Sequence, residues 1–287
     1  MSTTYKGLVA VHTSVVIFGL TALFSKFIQL SALDISMLRS LFAAIVIAVF
    51  ILTKNKSLCL NSFKDYGVIL LISLLLAIHW VTYFHAMQVS TIAVGVISLY
   101  TFPIITVFLE PLFHGEKPQI KDIISAVMVF FGVYLLVPEF SLDNQISQRI
   151  LWGVFSAFIF ALRNIIQGHY FTHYSAQHSM FYQTLIIFIV LLPFSAEIIP
   201  EVTIFQWGQL IILGIFFTAL PHILFSFSLL NLRAKTASLV ACVQVVYATI
   251  FAALLLGEEP ELTTIVGGII VISTAMYESY TAQRKKI

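Results

Sequence analysis

The sequence predicts an all-α polytopic membrane protein, with ten transmembrane helices in two inverted five-helix repeats. Its charge-free stretches are the first reason. Tyr66 to Leu109, Asn164 to Ala196, Val202 to Leu232 and Thr236 to Gly257 contain no Asp, Glu, Lys or Arg. A helix crosses a ~30 Å hydrocarbon layer in about 20 apolar residues, so each run holds a span and the first holds two joined by a very short turn. Composition is the second reason. Hydrophobic residues are 60% of the chain and charged residues 10%, against roughly 25% charged in soluble domains, and mean hydropathy is +1.00. The third is a short Gly-Glu-x-Pro motif that recurs at a fixed distance.

Ten spans follow in order, roughly 7–27, 35–53, 66–87, 91–112, 121–138, 150–170, 179–199, 205–228, 234–256 and 262–280. Span one has only Lys6 before it, is too long for a signal-peptide core and lacks a clear small-residue cleavage site, so it is read as retained. Span two begins after Asp34 and stops at Lys54-Asn55-Lys56. Spans three and four share the run from Tyr66 to Leu109, and four stops at His114-Gly115-Glu116-Lys117-Pro118. Span five stops before the polar stretch Glu139 to Gln148, seven at Glu197 to Glu201, and nine at Gly257 to Glu261. Helices are expected rather than strands, because each segment must satisfy its own backbone groups inside the bilayer.

Basic residues orient the chain. With both termini cytoplasmic, alternation puts Lys6, Lys54, Lys56, Lys64, Lys117, Lys121, Arg233, Lys235, Arg284, Lys285 and Lys286 inside, eleven of the fifteen. Arg149 falls outside, Lys26 lies near the outer end of span one, and Arg39 and Arg163 fall within spans. That bias predicts cytoplasmic termini, in an integral protein of a bacterial inner (cell) membrane. The net charge of +2 points to no nucleic-acid partner; the lipid bilayer is the expected one. Cys59 in a loop and Cys242 in a span make no disulfide framework.

Gly115-Glu116-Lys117-Pro118 recurs as Gly257-Glu258-Glu259-Pro260, an offset of 142, and Ser36-Met37 recurs as Ser179-Met180 at 143. The chain therefore divides into a first repeat, 1–140, and a second, 141–287. Each holds five spans, an odd number, so the second enters the membrane the opposite way. Inverted repeats are common in secondary transporters, with the solute between the halves near the midplane.

Leu112 to Glu116 and Leu254 to Glu258 share a Leu-x-x-Gly-Glu pattern, and span four carries Tyr100-Thr101-Phe102-Pro103. With ten spans in inverted halves, these resemble the drug/metabolite transporter superfamily, EamA type, over nearly the whole chain. Span nine departs from the pattern: Val245 stands where the repeat would place proline, and Gln244 stands opposite Phe102. The resemblance implies movement of small metabolites, often amino acids or other amphipathic solutes, commonly outward. It does not name the solute.

The expected pathway draws on polar groups inside spans. His79, Trp80 and Tyr83 share one face of span three, and rings with polar tips suit an amphipathic solute. Trp80 and Tyr83 have a second reading, as interfacial belt residues. Pro221, His222 and Phe225 are their repeat partners in span eight. Tyr100 follows in span four, where Pro103 interrupts the hydrogen-bond ladder. Gln244 and Tyr247 follow in span nine, Gln244 being equally suited to bonding another helix. Arg163, beside Asn164 in span six, costs at least ~2.5–3.5 kcal/mol at the bilayer centre and should face protein or a cavity; there it suits a carboxylate. Arg39 is expected to snorkel to the outer surface.

Other chemistry is disfavoured. No carboxylate lies mid-membrane; Glu110 and Glu278 sit near the cytoplasmic ends of their spans, so a cation antiporter trading a proton at a buried acid is not expected. No Walker motif is present. His169 and His173 are spaced like a metal pair but have no Glu between them and read as a surface cluster. No cofactor or metal is expected, and the chain is not expected to be an enzyme. The expectation is a secondary transporter, an exporter of a small amphipathic solute. An intramembrane enzyme or a non-transporting subunit is the alternative.

Overall fold

The computed structural model of the protein describes residues 3–21, 23–54, 57–89, 98–135, 144–256 and 262–284. Regular structure among them is helical: α1 (Thr3–Thr21), α2 (Phe24–Phe27), α3 (Ala32–Thr53), α4 (Phe63–Val89), α5 (Phe102–Phe113), α6 (Ile120–Leu135), α7 (Asn144–Tyr170), α8 (Ala176–Ser195), α9 (Ile204–Gly214), α10 (Leu220–Asn231), α11 (Ala234–Ala241), α12 (Val243–Leu256) and α13 (Leu262–Arg284). A 3₁₀ turn, Ala196–Glu201, extends α8, and a π turn, Ile215–Ala219, joins α9 to α10. Where they are described, the predicted spans lie on helix apart from turns at Leu23, Tyr100–Thr101 and Cys242. Residues 91–97 of span four, 136–138 of span five, the loop 139–143 and the motif from Gly257 to Glu261 lie outside the described residues. Among the described residues, five helical stretches are long and apolar enough to cross a membrane: Ala32–Thr53, Phe63–Val89, Leu151–Tyr170, Ala176–Glu201 and Ile204–Asn231.

Local chemistry sets the helix starts. Ser31 Oγ accepts from the Asp34 N–H at 3.2 Å and the Asp34 carboxylate accepts from the Ser31 N–H at 3.3 Å. This reciprocal cap satisfies two donors that a helix start leaves free, and it begins α3 three residues earlier than predicted. Thr203 and Gln206 cap α9 in the same way, and Ser175 Oγ caps α8 through the His178 N–H.

The chain turns at two places 142 residues apart. Tyr100 and Thr101 form a turn ahead of α5. Pro103 sits in the first turn of α5, where its missing N–H costs nothing, so it starts a helix rather than interrupting one. Cys242, 142 residues after Tyr100, separates α11 from α12. There the ladder tightens to three-residue bonds, Cys242 N–H to the Leu239 carbonyl at 3.4 Å and Val245 N–H to the Cys242 carbonyl at 3.1 Å.

The helix pairing has a two-fold pattern. The main contacts are α4 with α7 and α8, α1 with α10 and α12, α5 with α7, α3 with α8 and α9, and α6 with α13. Exchanging each predicted span with the one five later turns α4–α7 into α10–α1, α5–α7 into α12–α1, and α4–α8 into α9–α3. The α3–α8 and α6–α13 pairs map onto themselves. Small residues permit the closest approaches. A Cβ on Gly132 would lie 3.0 Å from the Gly267 carbonyl oxygen, and one on Gly214 would lie 2.8 Å from that of Arg39. Large apolar side chains such as Phe131, Ile189, Phe194 and Ile269 point outward.

Candidate functional site

A cavity of about 50 Å³ lies inside the bundle where α1, α3, α4, α5, α7, α10 and the α11–α12 break meet. His79, Trp80, Tyr83, Tyr100, His222 and Gln244 line it, together with Arg39, Phe18, Thr21, Phe84, Leu99, Phe102, Phe160, Phe225 and Ala241. Five pairs of these residues are separated by 142 positions: Phe18 with Phe160, Trp80 with His222, Tyr83 with Phe225, Leu99 with Ala241, and Phe102 with Gln244. Ten of the fifteen lining residues thus fall in pairs at one offset, while Thr21, Arg39, His79, Phe84 and Tyr100 have no paired counterpart in the wall.

Trp80 and Tyr83 turn inward, 1% and 8% exposed. They do not form a belt at a lipid interface. The His222 ring packs against Phe18 at 4.7 Å and Trp80 at 4.8 Å between centroids. His79 stacks on Phe160 at 4.3 Å and on Tyr83 at 5.8 Å. Its Nδ1 lies 2.8 Å from Ser156 Oγ and 3.3 Å from the Ser156 carbonyl oxygen, while Ser156 Oγ donates to the His79 carbonyl at 3.0 Å. A carbonyl only accepts, and the serine hydrogen is already committed. The network therefore assigns the proton to Nδ1 and leaves Nε2 as an acceptor. Gln244 both lines the cavity and bonds a neighbouring helix, its Nε2 donating to the Phe18 carbonyl at 3.3 Å.

Pro221 places the start of α10. Proline lacks the N–H that would bond the carbonyl four residues back. That carbonyl, on Phe217, accepts instead from the Thr21 hydroxyl at 3.4 Å. The π turn sits at this point, an irregularity often found at functional sites.

The arginines differ from expectation. Arg39 does not snorkel: it is 1% exposed. Its guanidinium carbon lies 4.0 Å from the Trp80 ring centroid and 4.5 Å from that of Phe84. Because the Ser31–Asp34 cap starts α3 at Ala32, Arg39 sits roughly 10 Å along the helix, two turns deep rather than one. That capping box was the sequence signal that could have located it. Phe18 and Phe160, apolar rings among many, carried no signal beyond their shared offset.

Arg163 and Asn164 do not line the cavity. Arg163 is buried in an amide network: Nε and Nη2 donate to Gln183 Oε1 at 2.9 and 2.6 Å, and Nη1 donates to Asn164 Oδ1 at 2.9 Å. Gln183 Nε2 continues it to Ser179 Oγ at 2.8 Å. Tyr247 is half-buried against the core and is likewise not a lining residue.

A second polar cluster ties α5 and α6 to the α10–α11 loop. The Glu110 carboxylate accepts from the Ala234 and Lys235 N–H groups at 2.7 and 2.9 Å, capping α11. Lys235 pairs with Asp122. Arg233 holds Glu116 through two bonds, 2.6 and 2.9 Å, and the bonded guanidinium draws the Glu116 carboxyl down to about 2. Of the expected surface pair, His173 bonds Asp65 at 3.1 Å; nearby, His178 bonds the Ser57 carbonyl at 2.6 Å.

The profile of the EamA-like transporter family matches twice, over residues 5–137 and 148–277. The uncharacterized transporter YxxF of Bacillus subtilis (strain 168) is 23% identical over 265 residues, 91% of this chain and 85% of that one. An S-adenosylmethionine uptake transporter of Rickettsia bellii (strain RML369-C) is 22% identical, covering 90% of this chain and 88% of its own. The pseudopaline exporter CntI of Pseudomonas aeruginosa (strain UCBPP-PA14) is 21% identical, covering 88% and 87%. A crystal structure of another protein shares the fold, with a TM-score of 0.81 at 14% identity over 96% of this chain and 98% of that one. With a profile matched over nearly all of its length and a helical bundle of the same fold, this chain belongs to the EamA-like transporter family and is an integral membrane transporter rather than an enzyme.

Proposed function

We propose that the chain is a secondary exporter of a small amphipathic metabolite, such as an amino acid or related solute. It works by alternating access between two inverted five-helix halves, 1–140 and 141–287, with both termini cytoplasmic in a bacterial inner membrane. The observation that carries this reading is the set of five lining pairs at one offset of 142. Paired residues from both proposed repeats in one wall are what a site at their junction requires, and inverted-repeat transporters hold their solute there. The paired turns at Tyr100 and Cys242 and the two-fold helix pairing support the same reading, as does the double family match.

His79, Trp80, Tyr83, Tyr100, His222 and Gln244 are the proposed solute-facing groups, and Arg39 joins them. Arg163, Asn164 and Tyr247 stand behind this wall as packing and hydrogen-bond support. A cavity of about 50 Å³ has room for water but not a metabolite, whose sites run to roughly 300–1,000 Å³. The halves must therefore part for solute to enter.

The test is flux in sealed vesicles. Purified chain should move a solute unmodified, and loading the solute on one side and then the other reads the direction. A chemically altered product, or no movement of any solute that binds, overturns the proposal.

A further inference from the structure

We propose that Arg39 is an anion anchor and that the transported solute carries a carboxylate, which docks on the free edge of this guanidinium. The inference deepens the transport reading and rests on the cavity being the solute site.

The two buried arginines make the case by contrast. All three nitrogens of Arg163 donate to amide oxygens of Gln183 and Asn164. Arg39 is equally buried, yet its Nε and Nη2 find no hydrogen-bond partner among the described residues. Arg163 stands off the cavity, and Arg39 lines it. One arginine is satisfied by the fold, and the other presents unused donors to the solute space.

The aromatic neighbours decide which part of Arg39 is available. Trp80 and Phe84 attract the guanidinium through their π-faces. Ring contacts of this kind leave the N–H groups uncommitted. Those groups form the planar fork that a carboxylate engages through two parallel bonds.

Among the described residues no carboxylate pairs with Arg39. Among the described residues the ion pairs are Asp65–His173, Glu116–Arg233 and Asp122–Lys235. Asp34, on the same helix as Arg39, is held by Ser31 at 2.6 Å and by Ser195. An intramembrane cation without a counter-charge is costly, and a solute carboxylate would neutralise it. The hydroxyls of Tyr83 and Tyr100 also line the cavity without a partner among the described residues, and each can donate to the same carboxylate. Phe160 and Phe225, stacked at 5.8 Å, supply an apolar wall for the rest of the solute. The class is thus a carboxylic acid with an apolar or aromatic body.

The test compares acids with their amides on the purified full chain. L-phenylalanine, L-leucine and succinate are set against L-phenylalaninamide, L-leucinamide and succinamide. Uracil and putrescine serve as carboxylate-free solutes and chloride as an inorganic anion. Binding is read by thermal shift and movement by counterflow in sealed vesicles. The expected result is that at least one acid binds and crosses, and that its amide binds at least tenfold more weakly. Arg39→Lys, which keeps the charge but removes the fork, should weaken the acid at least tenfold and shrink the difference between acid and amide. A structural role for Arg39 would weaken all solutes alike and overturns the anchor. Carboxylate-free solutes that bind and cross as well as any acid overturn the anchor while transport stands. Stabilisation by chloride alone, with no acid bound, also overturns it. If no solute crosses in any arm with the chain folded, the transport reading falls and the anchor with it. Should Arg39→Lys fail to fold, the acid–amide comparison on the unmodified chain decides, and equal affinity within every pair refutes the anchor.

Discussion

Trp80 and His222, 142 positions apart in the chain, touch each other, with ring centroids 4.8 Å apart and planes tilted by 54°. In the proposed arrangement of two inverted halves, residues so related meet only near the axis between them. On that proposal this contact marks the centre of the bundle, and separation of the halves breaks it. Trp80 also carries the Arg39 guanidinium on its other contacts. Trp80→Ala should cost roughly 3–5 kcal/mol in unfolding stability, the range for a fully buried aromatic. A loss within the ±0.5 kcal/mol typical of surface positions would return Trp80 to the lipid interface.

The tyrosines make an opposite prediction. Tyr83 and Tyr100 bury hydroxyls with no partner among the described residues. A buried unsatisfied group costs about 1–3 kcal/mol. Tyr83→Phe and Tyr100→Phe should therefore leave the ligand-free protein as stable or more stable, while weakening solute binding by ~1–3 kcal/mol. Unfolding curves and titrations on the same preparations separate the two effects. Lost stability with unchanged affinity would make these residues packing.

Gln183 is expected to be structural. Its Oε1 takes two bonds from Arg163, and Gln183→Leu would strand a buried cation at a cost of roughly 3–5 kcal/mol. Gln183→Glu keeps the acceptors and adds a counter-charge, so it should fold. Solute affinity among folded molecules should change in neither variant; a selective loss of affinity would bring Arg163 back to the pathway.

Glu110 caps α11 and faces no solute. Glu110→Gln keeps one acceptor oxygen and removes the charge, so stability should drop by about 1–2 kcal/mol. Flux per folded molecule should be retained. Complete loss of flux at normal stability would show that this carboxylate takes part in coupling.

The Glu116–Arg233 pair gives a pH dependence. Arg233 lowers the Glu116 carboxyl from its ordinary 4.5 to about 2. A depressed folded-state value means stability that is fully present above pH 4.5 and lost as pH falls toward 2. The difference in melting temperature between the native chain and Glu116→Gln should be constant near neutrality and shrink through that window. A difference independent of pH would indicate that the pair contributes by shape alone.

The linear sequence was sufficient for the helical class, the membrane setting and the family. Those follow from stretches of about 20 apolar residues and from backbone groups that must pair within each segment, both of which are local properties. It also carried the repeat offset, and with it His222 as the counterpart of Trp80. Tertiary structure decided what the polar groups do. A cap at Ser31 moved the start of α3 by three residues, which put Arg39 beyond reach of the surface and against Trp80. Gln183, twenty residues from Arg163, satisfied the arginine that the sequence offered as the anchor. Pro103 began a helix because the chain had already turned at Tyr100. The physical reason is the same in each case. Burial and periodicity are summed along one segment, whereas the fate of a buried charge depends on which acceptors neighbouring helices bring within 3 Å, and that is settled only when the bundle packs.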